Sequence, residues 1–294
     1  MPIKNKLYDK KIDCAPCKLK NNKQNKSCYS IESLIKIAKE LNKTKKYTII
    51  KTEKRTYKQI WKDIQTRLSK VCGNDDYCWK KQEFVKKLKD MEINFYTFKP
   101  DYPKEWVDNP KTWLNTYDIY YVMRQYQKTY KDFVFLGPIP SDCPMKIQCE
   151  LSKLDLMGMK KEGITKIGII YNLDTSTQNG SHWVAVYIDN INNEINYYDS
   201  TSRKPIFLIN KFIDRIANQY RKHKIEPTII YNDKDHQKMN TECGMYSMNF
   251  ILERLSGSTM YDISQMELPD GDLNNLRKVL YNTKSIKYYR GIGE

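Results

Sequence analysis

Three short runs rich in β-branched and aromatic residues stand close together near the middle of the chain: TKIGIIYNL (165–173), HWVAVYIDN (182–190) and EINYYDS (194–200). Their length and composition predict strands, and the NINN between the last two predicts a hairpin. A sheet built from such strands must have its apolar faces covered by other elements. Helical spacing supplies the cover. WLNTYDIYYVMRQY (113–126) comes before the strands, and DFVFLGPIP ends it with Pro138 and Pro140. Ile209, Phe212, Ile213, Ile216 and Tyr220 form a stripe after them; beyond lie a further strand, TIIYND (228–233), and a helix from Cys243 to Leu255. Strands grouped together, with helices on either side in sequence, predict an α+β fold.

The first hundred residues have a different character. Ser30 precedes a stripe of Ile31, Leu34, Ile35, Ala38 and Leu41, and a second stripe runs through Tyr57, Ile60, Trp61, Ile64, Leu68 and Val71. Phe84, Val85, Leu88 and Met91 predict a third helix, and VCGNDDYC between the last two reads as a turn. The Lys/Asn-rich first thirty residues have no period and are expected to be extended or loosely ordered. Residues 98–110, with Pro100, Pro103 and Pro110, are the expected linker. Two regions follow from this: a helical one over 1–105 and one built on the strands over 106–294.

Charge divides the chain at the same place. Of the net +16, residues 1–100 carry +15 from 26 Lys and Arg against 11 Asp and Glu. A solvated excess of that size attracts polyanions, so nucleic-acid or other polyanion contact is expected of the N-terminal region. Mean hydropathy is −0.75, and no apolar run approaches the ~20 residues that span a bilayer. The N-terminus lacks the apolar stretch of a secretory signal, so a reducing compartment is expected.

Chemistry is carried by a small set of residues. His182 opens an apolar strand just after a turn, and Asp199 closes the strand expected to pair with it. A hairpin would place the two side by side at one end of the ladder, where a carboxylate fixes an imidazole tautomer. Cys243, in QKMNTECGMYSMNFI, precedes a glycine and an apolar helix, so its thiol lies near a helix N-terminus, a setting that favours the thiolate. Gln237, six residues upstream, offers an amide donor. With the Cys243 N–H it would make a two-donor oxyanion hole, each donor worth about 3–4 kcal/mol.

The order His–Asp–Gln–Cys, with H-W at a strand start, Y-x-D-S after it and Q-x5-C-G before a helix, resembles the Ulp1-type (adenain-like, clan CE) cysteine proteases. The resemblance extends over about residues 106–285 and implies a central mixed sheet flanked by helices, here with a helical N-terminal extension. It implies His182, Asp199, Gln237 and Cys243 as catalytic residues. TWLNTYDIYYVM resembles the family's Trp-Leu-Asn-Asp opening helix, with Thr116 in place of the Asp. It also implies that Trp113 and Trp183 bind substrate, by closing on a Gly-Gly segment between two indole faces. Within the family, T-E-C-G-x-Y-S and the basic extension resemble the polyprotein-processing proteases of nucleocytoplasmic large DNA viruses, African swine fever virus among them. That implies an endopeptidase cutting protein or polyprotein substrates after Gly-Gly or Gly-X, located in host cytoplasm and virion. The alternatives, which imply a cytoplasmic or nuclear protein if it is not viral, are a SUMO- or ubiquitin-like deconjugating protease and, in another class, a nucleic-acid-binding protein with a vestigial protease fold.

Neither metal nor cofactor is expected. Cys14, Cys17, Cys28, Cys72 and Cys78 could in number form a four-thiolate zinc site, but their spacing is irregular and no histidine accompanies them. Free thiols or a local redox pair are expected for these, and buried or free thiols for Cys143 and Cys149. His223 and His236 are expected to be solvated, with His236 shaping the Gln237 loop.

Overall fold

The computed structural model describes residues 13–19 and 27–290. Six strands form one mixed sheet: β1 (Phe133–Phe135), β2 (Ile139–Pro140), β3 (Lys166–Asn172), β4 (Trp183–Asp189), β5 (Glu194–Tyr198) and β6 (Thr228–Tyr231). The order is β1-β3-β4-β5-β6, with β2 also on β3. The central pairs β3–β4 and β4–β5 are antiparallel; β1, β2 and β6 join in parallel. The expected hairpin is present. Asp189 accepts from the backbone N–H of Ile191 and Asn192, and Asn193 takes a left-handed φ of 55° that Asn tolerates well.

Every residue of β4 is buried, so both faces of the sheet are covered. Trp183, Ala185 and Tyr187 face one core with the helices Thr116–Thr129 and Cys243–Ser256. Val184, Val186 and Ile188 face the other, with the helix Phe207–Lys222. The Cys243–Ser256 helix is buried along its length except at Ser256, and Gly168 lets it approach β3. A Cβ there would lie 3.1 Å from Ile251 and 2.9 Å from the Phe133 ring.

The N-terminal helices have a core of their own, including Tyr29, Leu34, Ile37, Ile60, Ile64, Trp79 and Phe98. Ser30 caps Ile31–Lys43, and a Thr56–Gln59 capping box opens Tyr57–Cys72. Three sequence expectations need correction. The helix expected around 84–91 is broken into Glu83–Lys86 and Met91–Phe95, and a further short helix, Tyr77–Lys81, begins inside the expected turn; Lys89, at φ 48°, makes the break and Asp90 caps the last piece. The helix expected from Trp113 begins at Thr116, because Asn115 and Asp118 form a capping box there.

The third correction concerns the proline-bearing stretch, which is not a loose linker. Tyr102 and Trp106 are buried in the catalytic core, Tyr102 N–H donates to Asn282 O and Ser285 Oγ, and Asn282 N–H donates to Pro100 O. The C-terminal segment thus returns to the N-terminal unit, where Lys284 and Lys287 pair with Asp75. Most of the lysine-rich opening lies outside the described residues. Within it, Pro16–Leu19 is a short helix.

The cysteines differ most from expectation. Cys14–Cys28, Cys72–Cys78 and Cys143–Cys149 are disulfides, their Cα atoms 5.2, 5.4 and 5.5 Å apart, within bonding range. Pairing removes four of the five thiols that the zinc alternative needed. Among the described residues no group of three or more His, Cys, Asp and Glu is placed to hold a metal ion. No described helix is long and apolar enough to cross a membrane.

Candidate active site

The central hairpin sets the first two groups. His182 immediately precedes β4 and Asp199 immediately follows β5. The ladder pairs Ala185 with Tyr198, so Asp199 falls opposite Val184. Alternation then puts its side chain on the same face as His182. His182 Nε2 lies 2.8 Å from Asp199 Oδ1, which also accepts from Thr201 N–H and Oγ1, each at 2.8 Å. Asp199 is fully buried, and its backbone is held by Asn232, which accepts from Asp199 N–H at 2.8 Å and donates to Asp199 O at 2.7 Å.

Cys243 is the first residue of its helix and a free thiol, nearly buried. With Asp199 on Nε2, the other imidazole nitrogen, Nδ1, is left to interact with the thiol. Burial pulls the imidazole pKa down. The hydrogen bonds to Asp199 and Cys243 outweigh that and raise it from 6.5 to about 9. Burial pushes Asp199 up, but His182 and Thr201 hold its carboxyl below the ordinary range. The helix's first N–H groups have no partner within the helix, so the Cys243 amide is available to a ligand.

Gln237 is buried in the segment between β6 and the Cys243–Ser256 helix. Its Oε1 accepts from Ser200 Oγ at 2.6 Å and its Nε2 donates to Met239 O at 2.6 Å. Its neighbour His236 is buried, not solvated: the ring lies between Tyr198 and Tyr246, and Nδ1 is 2.9 Å from Tyr198 Oη. His223 is exposed. A free thiol and an imidazole oriented by a carboxylate are parts that acyl transfer through a thioester requires.

Comparison with known proteins places this arrangement. Residues 162–287 match the Ulp1 protease family, C-terminal catalytic domain. A thiol protease of Acanthamoeba polyphaga mimivirus is 33% identical over 289 residues, 91% of this chain and 93% of its own. The chain belongs to the Ulp1-type cysteine proteases. A cysteine protease of African swine fever virus is 29% identical over 124 residues, 41% of this chain and 45% of that protein. The crystal structure of an African swine fever virus protease covers 92% of this chain and 95% of its own, with a TM-score of 0.64 at 20% identity. That likeness in fold takes in most of the N-terminal helical part as well as the sheet.

The two tryptophans of this Ulp1-type protease line one cleft of about 500 Å³, together with Leu114, Pro138 to Pro140 and the 174–180 loop. Trp183 forms a fixed wall, 7% exposed, its Nε1 donating to Leu114 O at 3.0 Å. Trp113 stands free at 45% exposure. Neither His182 nor Cys243 lines the cleft. It reaches them through Trp183, beside His182 in sequence, and Gly244, where a Cβ would press on Trp183 and Leu114 at 3.2 Å.

Sequence reasoning missed four residues here. Asn232 and Ser200 hold Asp199 and Gln237; both lie within motifs already singled out, TIIYND and YYDS. Glu242, beside the nucleophile, forms a fully buried ion pair with Arg277 at 2.9 Å. Glu242 stands in the T-E-C-G motif, but nothing local marks Arg277 as its partner.

Proposed function

We propose that this cysteine protease is an endopeptidase of viral polyprotein processing, cutting after Gly-Gly or Gly-X motifs. His182, oriented by Asp199, takes the proton of Cys243, and the thiolate attacks the scissile carbonyl. The oxyanion accepts from the Cys243 N–H and the Gln237 amide. The imidazolium then protonates the leaving amine, and water, deprotonated by the same imidazole, hydrolyses the thioester. The observation that carries the reading is His182 held by Asp199 through Nε2 at 2.8 Å, with Cys243 near enough to help raise the imidazole pKa. Likeness to a viral thiol protease over nine-tenths of the chain supports the viral role.

The glycine preference rests on Trp113 and Trp183 in one cleft beside the nucleophile's helix. A buried indole wall and an exposed one leave least room for substrates with a Cβ. Trp113→Ala, at an exposed position, is expected to keep the fold and narrow the preference for Gly-Gly over Ala-Gly peptides by about tenfold. Unchanged discrimination would remove Trp113 from the specificity site. Some African swine fever virus relatives are described as SUMO-1 cysteine proteases, which favours deconjugation as the second reading. Mapping cut sites by mass spectrometry on a Gly-Gly-X peptide panel beside ubiquitin-like fusions separates the two.

We also propose that the N-terminal unit contacts polyanions. Its charge is concentrated on one stretch: Lys43, Lys45, Lys46, Lys51, Lys54, Lys58 and Lys62 are all exposed, with Glu53 the one exposed acid among them. Binding to a DNA duplex is expected to weaken about a thousandfold between 50 and 200 mM salt if roughly six phosphates are contacted. A salt-independent affinity, or one unmoved by Lys45→Glu with Lys51→Glu, would refute the contact.

A further inference from the structure

The loop that carries Gln237 has no regular structure, yet a donor that stabilises a transition state must not reorganise when charge develops. Three groups outside Gln237 determine where its amide points. Met239 O can only accept, so its contact with Nε2 at 2.6 Å decides which end of the amide is nitrogen. The backbone leading into that carbonyl is held, because Asp270 accepts from the N–H of Lys238 and of Met239, each at 2.9 Å. The opposite end of the amide receives the Ser200 hydroxyl at 2.6 Å. One of the two Nε2 hydrogens remains for a ligand.

Ser200 stands directly after Asp199, in the turn that ends β5. Its carbonyl also accepts the backbone N–H of His236 and of Gln237, both at 2.9 Å. A single turn therefore holds the carboxylate that orients the base and the amide that faces the oxyanion. We infer that Ser200 is a positioning residue: its hydroxyl, together with the carbonyl of Met239, locks the Gln237 amide into the oxyanion-donating orientation. The inference rests on Gln237 being an oxyanion donor and adds what keeps it one.

The side chain can be separated from the backbone contacts, since Ser200→Ala removes Oγ and leaves the carbonyl that holds the loop. Without Oγ, the buried Gln237 Oε1 loses its donor and the amide gains freedom to rotate. Ser200→Ala is expected to lower kcat about tenfold with KM within twofold, the loss of one hydrogen bond that matters in the transition state. Ser200→Cys, close in volume and a weaker donor, should fall between Ala and Ser; it also serves if the alanine variant folds poorly. Gln237→Ala should cost about 100- to 1,000-fold. In that background Ser200→Ala should cost nothing further.

The alkaline limb of the pH profile should not move in any of these variants, because His182 and Asp199 are untouched. Wild-type activity of Gln237→Ala would overturn the oxyanion reading itself. A large loss in Gln237→Ala with none in Ser200→Ala and Ser200→Cys would overturn the positioning role alone. So would an equal tenfold loss from Ser200→Ala in both backgrounds, or a shifted alkaline limb.

Discussion

Cys243→Ser is expected to fold as the parent does and to lose peptidase activity by about 10⁴-fold or more, because a hydroxyl is a far weaker acid and nucleophile than a thiol. The three disulfides sharpen the companion experiment. Without reductant, iodoacetamide meets only two free thiols among the described cysteines, Cys17 and Cys243. Burial raises the pKa of Cys17, and its Sγ lies 3.5 Å from Tyr96 O, so it should react slowly. Peptide mapping after partial inactivation should find the label on Cys243; label on Cys17 in step with lost activity would sink the assignment.

The imidazole adds a pH signature. Its pKa rises from 6.5 to about 9 in the fold, so the protonated ring persists through neutrality and is lost as pH climbs through about 9. The acid that protonates the leaving amine disappears with it, and kcat should fall on that alkaline limb. Stability contributed by the His182–Asp199 pair has the same sign on this side, being complete below about pH 6.5 and lost through about pH 9. An alkaline limb near 6.5 would mean that Asp199 and Cys243 together do not hold the His182 proton.

The α+β core was legible because its signals are local. Strand-length apolar runs, the NINN turn and the stripe from Ile209 to Tyr220 each appear where the sequence placed them. The His182–Asp199 contact was legible for the same reason: a two-strand hairpin turns a sequence interval into a distance. What was not legible depends on contacts between distant segments. No spacing announces that Cys14 meets Cys28 in preference to Cys17, or that Tyr102 is pinned by Asn282 and Ser285. Broken helices such as 77–95 turn on single backbone choices like that of Lys89, which an apolar stripe does not register. His236 was misjudged because its cover, Tyr198 and Tyr246, comes from two other elements.

The ion pair behind the nucleophile carries the second large effect. Glu242 is 1% exposed and ends in a carboxylate that accepts from Arg277 Nε and Nη2 at 3.1 and 2.9 Å, and from Asn274 at 2.9 Å. Arg277 is fully buried, lies over the Trp106 ring at 4.3 Å and donates to Thr112 O at 2.7 Å. Removing one partner of such a pair leaves a charge that neither water nor a counter-ion can reach. Arg277→Met is therefore expected to cost about 3–5 kcal/mol in chemical denaturation. Removing both charges removes that penalty, so Arg277→Met with Glu242→Gln should recover most of the stability. Because Glu242 sits at the helix start next to Cys243, the single variant should also lose activity in its folded fraction, and the double variant should regain part of it. If Arg277→Met is as stable as the parent, or if the double variant is no better than the single, the pair is not what seats the nucleophile's helix.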